Sequence, residues 1–212
     1  MAELVDALDL GSSDESRGGS IPSTRTIKRS LKMVNVFKEA FDLYGADKAV
    51  HGYHELYNTF IEKEEVKSLL EIGALRGNSL KAFAAIWPNI QIDSMDVEIF
   101  DEQLAKDFNI FKQSSTDEEA ASKIGEYDFI IDDGDHHWRK QFETFKLYYP
   151  KAKKYYMIED IQGQYSLDRL IFNINKGVLQ KAQLFTCKGP KRVFTHSEHV
   201  KEDNYFGLLI IK

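Results

Sequence analysis

Between Val66 and Ile158 the sequence alternates short apolar runs with longer segments in which apolar residues recur at three- and four-residue steps. Short apolar runs are typical of buried strands, and the longer periodic segments are typical of amphipathic helices. Strands that alternate with helices form βαβ units, which place the strands parallel in one sheet with helices on both faces. Two later apolar runs, at 183–187 and 206–211, flank a Gly189-Pro190 turn and predict an antiparallel end to this sheet.

The element boundaries follow from the same periodicity and its interruptions by glycine and proline. The predicted strands are 66–72, 90–95, 110–112, 129–131 and 155–158. The predicted helices are 34–44, 54–63, 79–86, 100–108, 117–124, 138–149 and 167–175, with 161–165 as a loop. The chain therefore divides into a tail (1–32), an N-terminal helical segment (33–65) and an α/β domain (66–212).

Acidic and imidazole side chains follow two of the predicted strands directly. Asp132, Asp133, Gly134, Asp135 and His136 come after the run 129–131, and Glu159-Asp160 comes after 155–158. Ligands bind outside the carboxyl ends of the strands in open α/β sheets. Adjacent carboxylates repel one another unless a cation offsets the repulsion. The two strand ends are therefore predicted to be neighbours that share a metal ion.

The first predicted strand runs into a glycine-containing turn, Glu71-Ile72-Gly73, with a second glycine at Gly77 and a serine at Ser79. The first glycine permits a tight turn, and the second lets the backbone approach a ligand at the helix N-terminus. The spacing is not G-x-G-x-x-G, which disfavours a nicotinamide cofactor. Glu71 is expected to face a positively charged end of the ligand. A plain β–turn–α connection is the alternative.

Two further residues at strand ends are candidate nucleotide contacts. Asp96 ends the second strand, where an acidic residue commonly accepts hydrogen bonds from ribose hydroxyls. Ser115 follows the third strand, where an adenine edge would be read. A solvated strand-end carboxylate is the competing interpretation of Asp96. Asp132 and Tyr53 are also assigned to cofactor binding, with core packing as the alternative for Tyr53.

Composition limits the class of protein. Lys plus Arg is 28 and Asp plus Glu is 34, a net charge of −6, which argues against nucleic acid as a main partner because phosphate binding needs a basic surface. The chain has 1 cysteine, Cys187, which fits a reducing cytoplasm. No apolar run approaches the ~20 residues of a membrane span, and the N-terminal stretch lacks the pattern of a secretory signal.

The first residues resemble a translated transfer-RNA gene. Gly19 to Pro22 can be encoded by a T-arm-like sequence, and Glu3 to Ala7 by one like the D-arm of a leucine tRNA. We hypothesise that residues 1 to about 26 are such an artefact upstream of a start at Met33. An ordinary disordered tail is the alternative, because small and polar residues bury too little surface to order themselves.

Three motifs, in order along the chain, carry a family resemblance. They are D-K-x-x-H-G-Y at 47–53, L-E-I-G-x-x-x-G-x-S at 70–79, and I-D-D-G-D-H at 131–136 with I-E-D at 158–160. From about residue 47 to 212 the chain resembles the metal-dependent, S-adenosylmethionine-dependent sugar O-methyltransferases that act on macrolide deoxysugars. It also resembles the related cephalosporin-hydroxylase-like proteins.

The resemblance implies a Rossmann-like class I methyltransferase fold with S-adenosylmethionine and Mg²⁺ as cofactors. It further implies that Asp133, Glu159 and Asp160 hold the metal and that His136 is the general base. Two positions depart from the family. Asp135 stands where the family usually has serine, and Ser114-Ser115 stand where it usually has an acidic residue and glutamine.

The resulting expectation is a cytoplasmic enzyme that methylates a hydroxyl of a sugar, in a surface polysaccharide or a glycosylated metabolite. Three alternatives remain: methylation of another small oxygen acceptor, such as a catechol or a phosphorylated molecule; a non-catalytic S-adenosylmethionine-binding protein; and a nicotinamide oxidoreductase. Homo-oligomerisation stays open, because the aromatic-rich segment 34–62 is apolar enough to cover either an interface or the sheet.

Overall fold

The computed structural model describes residues 35–99, 102–187 and 204–212. Several features predicted from the sequence lie outside these ranges: the tail 1–32 with the Met33 start, the beginning of the helix predicted at 100–108, and the Gly189-Pro190 turn. The described residues belong to one compact unit. Among the helices within the described ranges, none combines the length and the apolarity that crossing a membrane requires.

Seven strands form one sheet in the order β3-β2-β1-β4-β5-β7-β6. The strands are β1 Ser68–Ile72, β2 Gln91–Asp96, β3 Asn109–Lys112, β4 Tyr127–Asp132, β5 Ala152–Gln162, β6 Ala182–Thr186 and β7 Tyr205–Ile211. The first five pair in parallel, and β7 is antiparallel to both β5 and β6. The predicted mostly parallel sheet with an antiparallel C-terminal strand is confirmed.

Helices cover both faces of the sheet. They are α1 Val36–Tyr44, α2 Lys48–His51, α3 Tyr53–Phe60, α4 Asn78–Ile86, α5 Leu104–Asp107, α6 Glu118–Lys123, α7 Trp138–Tyr148, α8 Gly163–Asn173 and α9 Lys176–Leu179. Two short 3₁₀ helices lie at Lys63–Glu65 and Tyr149–Lys151.

The sheet separates two large clusters of buried side chains, and a third, small cluster is formed by Ala74, Leu80 and Leu104. Phe145 of α7 and Leu170 of α8 pack on one face. Phe37 of α1, Tyr57 of α3 and Phe83 of α4 pack on the other. Each helix can pack against the sheet because its apolar side chains recur three and four residues apart and therefore share one face of the helix.

The register of the central strands aligns their carboxyl ends. Ile72 of β1 lies beside Asp132 of β4, and Asp132 in turn lies beside Ile158 of β5. The strand order reverses between β1 and β4, the type of position at which open α/β sheets bind ligands. Residues that follow these three strands are therefore brought to one edge.

Two segments differ from the sequence prediction. Residues 161–165 were expected to be a loop, but β5 continues through Gln162 and α8 begins at Gly163. The extension is stabilised by pairing of Ile161 and Gln162 with β7, a contact between segments far apart in sequence. Lys48–His51 forms a short helix that the sequence pattern did not predict.

Candidate active site

A cavity of about 1090 Å³ opens at the carboxyl ends of the parallel strands. One side is formed by residues that follow β1, β2 and β3, and the other by residues that follow β4 and lie within β5. The predicted site residues that line it are Gly73, Ser79, Asp96, Ser115, Asp133, His136 and Asp160. Residues from both predicted halves of the site therefore share one space.

Gly73 forms the turn between the two halves. Its φ of +98° is a left-handed conformation that side-chain-bearing residues rarely adopt. A Cβ atom here would lie 2.1 Å from the carbonyl oxygen of Asp133. The Gly73 N–H donates to the Met95 carbonyl over 2.8 Å, and the Asp133 N–H donates to the Ile72 carbonyl over 2.9 Å. Only glycine allows this close approach of the β1 and β4 ends.

Asp96 supports the next loop and faces the cavity. Its Oδ2 accepts a hydrogen bond from the Leu75 N–H at 2.9 Å, and its Oδ1 accepts one from the Glu98 N–H at 3.2 Å. Ser115 lies further along the same side, with its hydroxyl 2.8 Å from the Thr144 hydroxyl. Both residues line the cavity on the same side as the Gly73 turn.

Four predicted cofactor residues do not line the cavity: Glu71, Gly77, Asp132 and Tyr53. Glu71 is fully buried and accepts a hydrogen bond from the Ser79 hydroxyl at 2.6 Å, so it acts on the cavity through Ser79. Burial raises the pKa of Glu71. Gly77 is left-handed, and a Cβ atom there would meet the side chain of Leu104.

Asp132 is enclosed beneath the cavity. Its side chain is buried, and its Oδ2 has no hydrogen-bond partner. Burial raises the pKa of Asp132 to about 8, although a backbone hydrogen bond from Gly134 opposes the shift. Burial without a nearby cation favours the neutral form of a carboxyl group.

Asp133, His136 and Asp160 form the group with the chemistry of a cation site. Each offers one ligand atom, and these atoms all lie within 4.8 Å of one another. Two carboxylates and an imidazole are a donor set that suits divalent cations. Asp133 and Asp160 belong to the predicted ligand set, and His136 is the predicted base. The residues present therefore fit a metal ion.

His136 is held against Asp133. Its Nε2 lies 3.4 Å from Asp133 Oδ1. Burial lowers the pKa of His136, but the Asp133 carboxylate outweighs it, followed by Asp160 and Asp132, and the pKa rises to about 9. The imidazole is therefore protonated at neutral pH while Asp133 remains ionised and pairs with it.

Glu159, the third predicted ligand, is turned away from the cavity. Its Oε2 lies 2.5 Å from the Lys48 Nζ, and its Oε1 accepts a hydrogen bond from the Tyr57 hydroxyl. Its backbone carbonyl accepts a hydrogen bond from the Gln141 amide at 2.8 Å. Burial raises the pKa of Glu159, with Lys48 opposing the shift.

A bulge in β5 directs the side chains of Glu159 and Asp160 to different surroundings. The pairing of β5 with β7 shifts between Ile158 and Ile161, and Asp160 adopts a left-handed φ of 49°. Tyr53 holds this conformation, because its hydroxyl donates to Asp160 Oδ1 at 2.9 Å and accepts from the Asp160 N–H at 2.7 Å. Consecutive carboxylates thus reach different surroundings, and Tyr53 serves the carboxylate side of the site.

Lys48 is the residue that the sequence interpretation missed. Its side chain is 1% exposed, and its Nζ lies 2.7 Å from Asp133 Oδ2 and 3.1 Å from Glu71 Oε1, in addition to its contact with Glu159. Burial lowers the pKa of Lys48, but Asp133, Glu159 and Glu71 outweigh burial and raise it well above its ordinary value. The signal was its place in D-K-x-x-H-G-Y at 47–53.

No family model matches the chain, and a search of curated proteins finds no match. Solved structures match in fold. The MycE methyltransferase of the mycinamycin biosynthetic pathway, in complex with Mg, SAH and mycinamycin VI, gives a TM-score of 0.61 at 20% identity. The match covers 83% of this chain and 53% of MycE, so the chain spans about half the length of that protein.

Two shorter proteins match over nearly their whole length. The O-methyltransferase from Bacillus cereus, in complex with SAH, gives a TM-score of 0.52 at 10% identity, covering 87% of this chain and 94% of that protein. A SAM-dependent methyltransferase from Archaeoglobus fulgidus gives 0.51 at 15% identity, covering 83% and 99%. At these identities the likeness shows the fold: this chain has the Rossmann-like architecture of class I methyltransferases.

Proposed function

We propose that this protein is an S-adenosylmethionine-dependent, Mg²⁺-assisted O-methyltransferase that acts on a hydroxyl of a sugar. One observation carries the proposal: the Gly73 turn with Asp96 and the Asp133–His136–Asp160 cluster line the same cavity. Methyl transfer needs these two kinds of site side by side, because the sulfonium methyl must lie in line with the attacking oxygen. The fold shared with MycE and the Bacillus cereus enzyme supports the same conclusion.

The cofactor would lie along the Gly73 side. The backbone turn leaves room for the methionine part, and Asp96 is placed to accept hydrogen bonds from the ribose hydroxyls. The bound sulfonium carries a positive charge, and the carboxylates across the cavity at Asp133 and Asp160 complement it. Ser115, which also lines the cavity, would contact the base.

Asp133 and Asp160 would hold the metal, and Glu159 stays a predicted third ligand whose carboxylate pairs with Lys48. A divalent cation at this position supplies Lewis-acid polarisation that makes an acceptor hydroxyl easier to deprotonate. Sugars present adjacent hydroxyls of the kind that oxygen-binding cations prefer.

Bound S-adenosylmethionine would supply an electrophilic methyl group: an oxygen–carbon bond to the acceptor would form as the carbon–sulfur bond breaks, and S-adenosylhomocysteine would leave. The hydroxyl proton goes to His136, which must be neutral to accept it. The ion pair with Asp133 keeps His136 protonated. A cation bound to Asp133 and Asp160 would lower the pKa of His136 and so favour the neutral form that accepts the proton.

The first test is calorimetric titration with S-adenosylhomocysteine and, separately, with Mg²⁺. Both ligands should bind, and Asp133→Ala should lose the Mg²⁺ heat while retaining that of S-adenosylhomocysteine. Asp135→Ala is the matched control, because Asp135 belongs to the same acidic run but is exposed and lies outside the cluster. Failure to bind S-adenosylhomocysteine would remove the methyltransferase proposal.

The second test is transfer of a labelled methyl group to a panel of acceptors. Sugar acceptors should be methylated, His136→Ala should abolish transfer and retain cofactor binding, and His137→Ala should remain active because His137 only caps α7. An active His136→Ala enzyme would overturn the base assignment. Methylation of catechols or phosphorylated molecules alone would overturn the sugar assignment and leave the methyltransferase activity standing.

A further inference from the structure

A lysine ammonium lies at the centre of the carboxylate side of the site. Lys48 extends from α2, and its Nζ contacts Glu71 at the end of β1, Asp133 after β4 and Glu159 in β5. The carboxylate oxygens lie 3.1, 2.7 and 2.5 Å away, respectively. Residues of β1 and β5 and the residue that follows β4 are therefore joined through one buried positive charge.

This positive charge stabilises buried carboxylates, a role that the proposed reaction does not include. Glu71 and Glu159 are buried at 0% and 1% exposure. Buried carboxylates are costly to ionise without a cation nearby. Lys48 supplies that cation from within the chain.

Asp133 is shared between this lysine and the cation cluster. Its Oδ2 contacts Lys48 Nζ, and its Oδ1 faces His136 within the Asp133–His136–Asp160 cluster. Because the two oxygens belong to one carboxylate, a divalent cation on Oδ1 would lie a few ångströms from the ammonium and be repelled by it. Occupancy by metal and the pairing with Lys48 therefore oppose each other.

We propose that Lys48 sets the divalent-metal affinity of this site by competing for the carboxylates of Asp133 and Glu159. The inference rests on the proposed function, since it concerns the same cation site. Lys48 is a positioning residue: it does not line the cavity, and it acts through the two carboxylates. The protein thereby keeps its acidic strand ends stable without metal, at the expense of weaker metal binding.

The test uses Mn²⁺ as the probe, with free Mn²⁺ followed by electron paramagnetic resonance. Lys48→Met should bind Mn²⁺ more tightly than the unsubstituted protein, by about tenfold or more, because one positive charge beside the ligands is gone. Lys140→Met is the matched control: Lys140 lines the same cavity but pairs with Glu143, and its loss should leave the Mn²⁺ affinity within about twofold. Equal affinities for Lys48→Met and the unsubstituted protein would overturn the inference.

Thermal unfolding gives a readout that does not depend on activity. In chelator, Lys48→Met should melt well below the unsubstituted protein, and added Mn²⁺ should raise its melting temperature more than it raises that of the unsubstituted protein. A loss of stability that Mn²⁺ does not restore preferentially would mean that Lys48 has only a structural role.

If Lys48→Met does not fold in chelator or in Mn²⁺, the charge-balanced pair Lys48→Met/Glu159→Gln replaces it and is compared with Glu159→Gln alone. The double variant should bind Mn²⁺ more tightly than the single variant, and equal affinity would overturn the inference. Titration of the unsubstituted protein with S-adenosylhomocysteine separates the two claims. Cofactor binding with no effect of Lys48 on Mn²⁺ refutes the inference alone, whereas absence of cofactor binding refutes the proposed function.

Discussion

The two sides of the cavity are built in different ways. On the side formed after β1, β2 and β3, the conformation of the backbone determines the shape of the cavity. Gly73 turns tightly, and Asp96 holds the loop by accepting a hydrogen bond from the Leu75 N–H. On the side formed by β4 and β5, contacts between buried side chains dominate, and Lys48 pairs there with Asp133 and Glu159. The structure of the first side depends on backbone shape, and that of the second depends on the balance of buried charges. Substitutions on the two sides should therefore affect cofactor affinity and metal affinity separately.

The largest effect should come from Gly73→Ala, because this residue joins the two sides. The new Cβ would lie 2.1 Å from the Asp133 carbonyl oxygen in a backbone conformation unfavourable to alanine. We expect a loss of about 3 kcal/mol or more in the free energy of unfolding, together with loss of S-adenosylhomocysteine binding, measured by denaturant unfolding and calorimetry. Gly125→Ala is the control, because nothing lies within 4 Å of its Cβ position. Similar stability of the two variants would contradict the proposed steric requirement.

Tyr57→Phe should have the next largest effect, and this effect should be confined to the side of the cavity formed by β4 and β5. Glu159 would lose a buried hydrogen bond from the Tyr57 hydroxyl, which should cost about 2 kcal/mol of unfolding free energy. Tyr165→Phe, at a residue 62% exposed, should change stability by less than about 0.5 kcal/mol. Chemical denaturation of both variants checks the difference, and equal stabilities would show that the Glu159 contacts contribute little.

Asp96→Ala should affect only the side of the cavity formed after β1, β2 and β3. Loss of the carboxylate removes the predicted ribose contact and the support of the Leu75 N–H, and S-adenosylhomocysteine affinity should fall about tenfold or more. Mn²⁺ affinity should stay the same, the reverse of the result for Asp133→Ala. Asp107→Ala, an exposed helix residue outside the cavity, is the control. A parallel loss of both affinities would mean that the two sides are not separable.

The smallest effect concerns Cys187 and changes no residue. Burial raises the pKa of its thiol to about 12, while the hydrogen bond to the Tyr53 hydroxyl opposes the shift. Because the pKa lies above the usual value, the reactive thiolate stays scarce at neutral pH. The rate of alkylation by iodoacetamide should rise about tenfold per pH unit from about pH 7 to about pH 10 without levelling. A plateau near pH 9 would indicate an ordinary exposed thiol.

Sequence reasoning was most successful where structure is local. The Gly73 turn, the helix after it and the alternation of strands are all set by residues close together in the chain, and the predicted parallel sheet with its antiparallel end is confirmed. The placement of Asp133, His136 and Asp160 near one another also follows from strand ends in register. The roles predicted for the individual site residues stay predictions.

What the sequence could not supply comes from contacts between distant segments. Lys48 precedes Asp133 by 85 residues and Glu159 by 111, and a lysine on a short polar segment is ordinarily exposed. Its burial depends on contacts with Glu71, Asp133 and Glu159, which come from three separate parts of the chain. The continuation of β5 through Gln162 likewise depends on β7, which lies more than forty residues later in the chain.

The bulge in β5 makes this strand sensitive to length as well as to composition. Three steps along β5, from Ile158 to Ile161, are matched by two steps along β7, from Leu208 to Phe206. Ile158 and Ile161 consequently pack in the same core cluster, which strict alternation would prevent. The bulge thus places one more residue in β5 than in the matching part of β7, and the residues on either side of it keep their inward face. Removing one residue between Ile158 and Ile161 would restore regular pairing with β7 and keep both isoleucines on one face. It would abolish the bulge that directs Glu159 and Asp160 to different surroundings, whereas an exchange of Asp160 for another residue keeps the length of the strand.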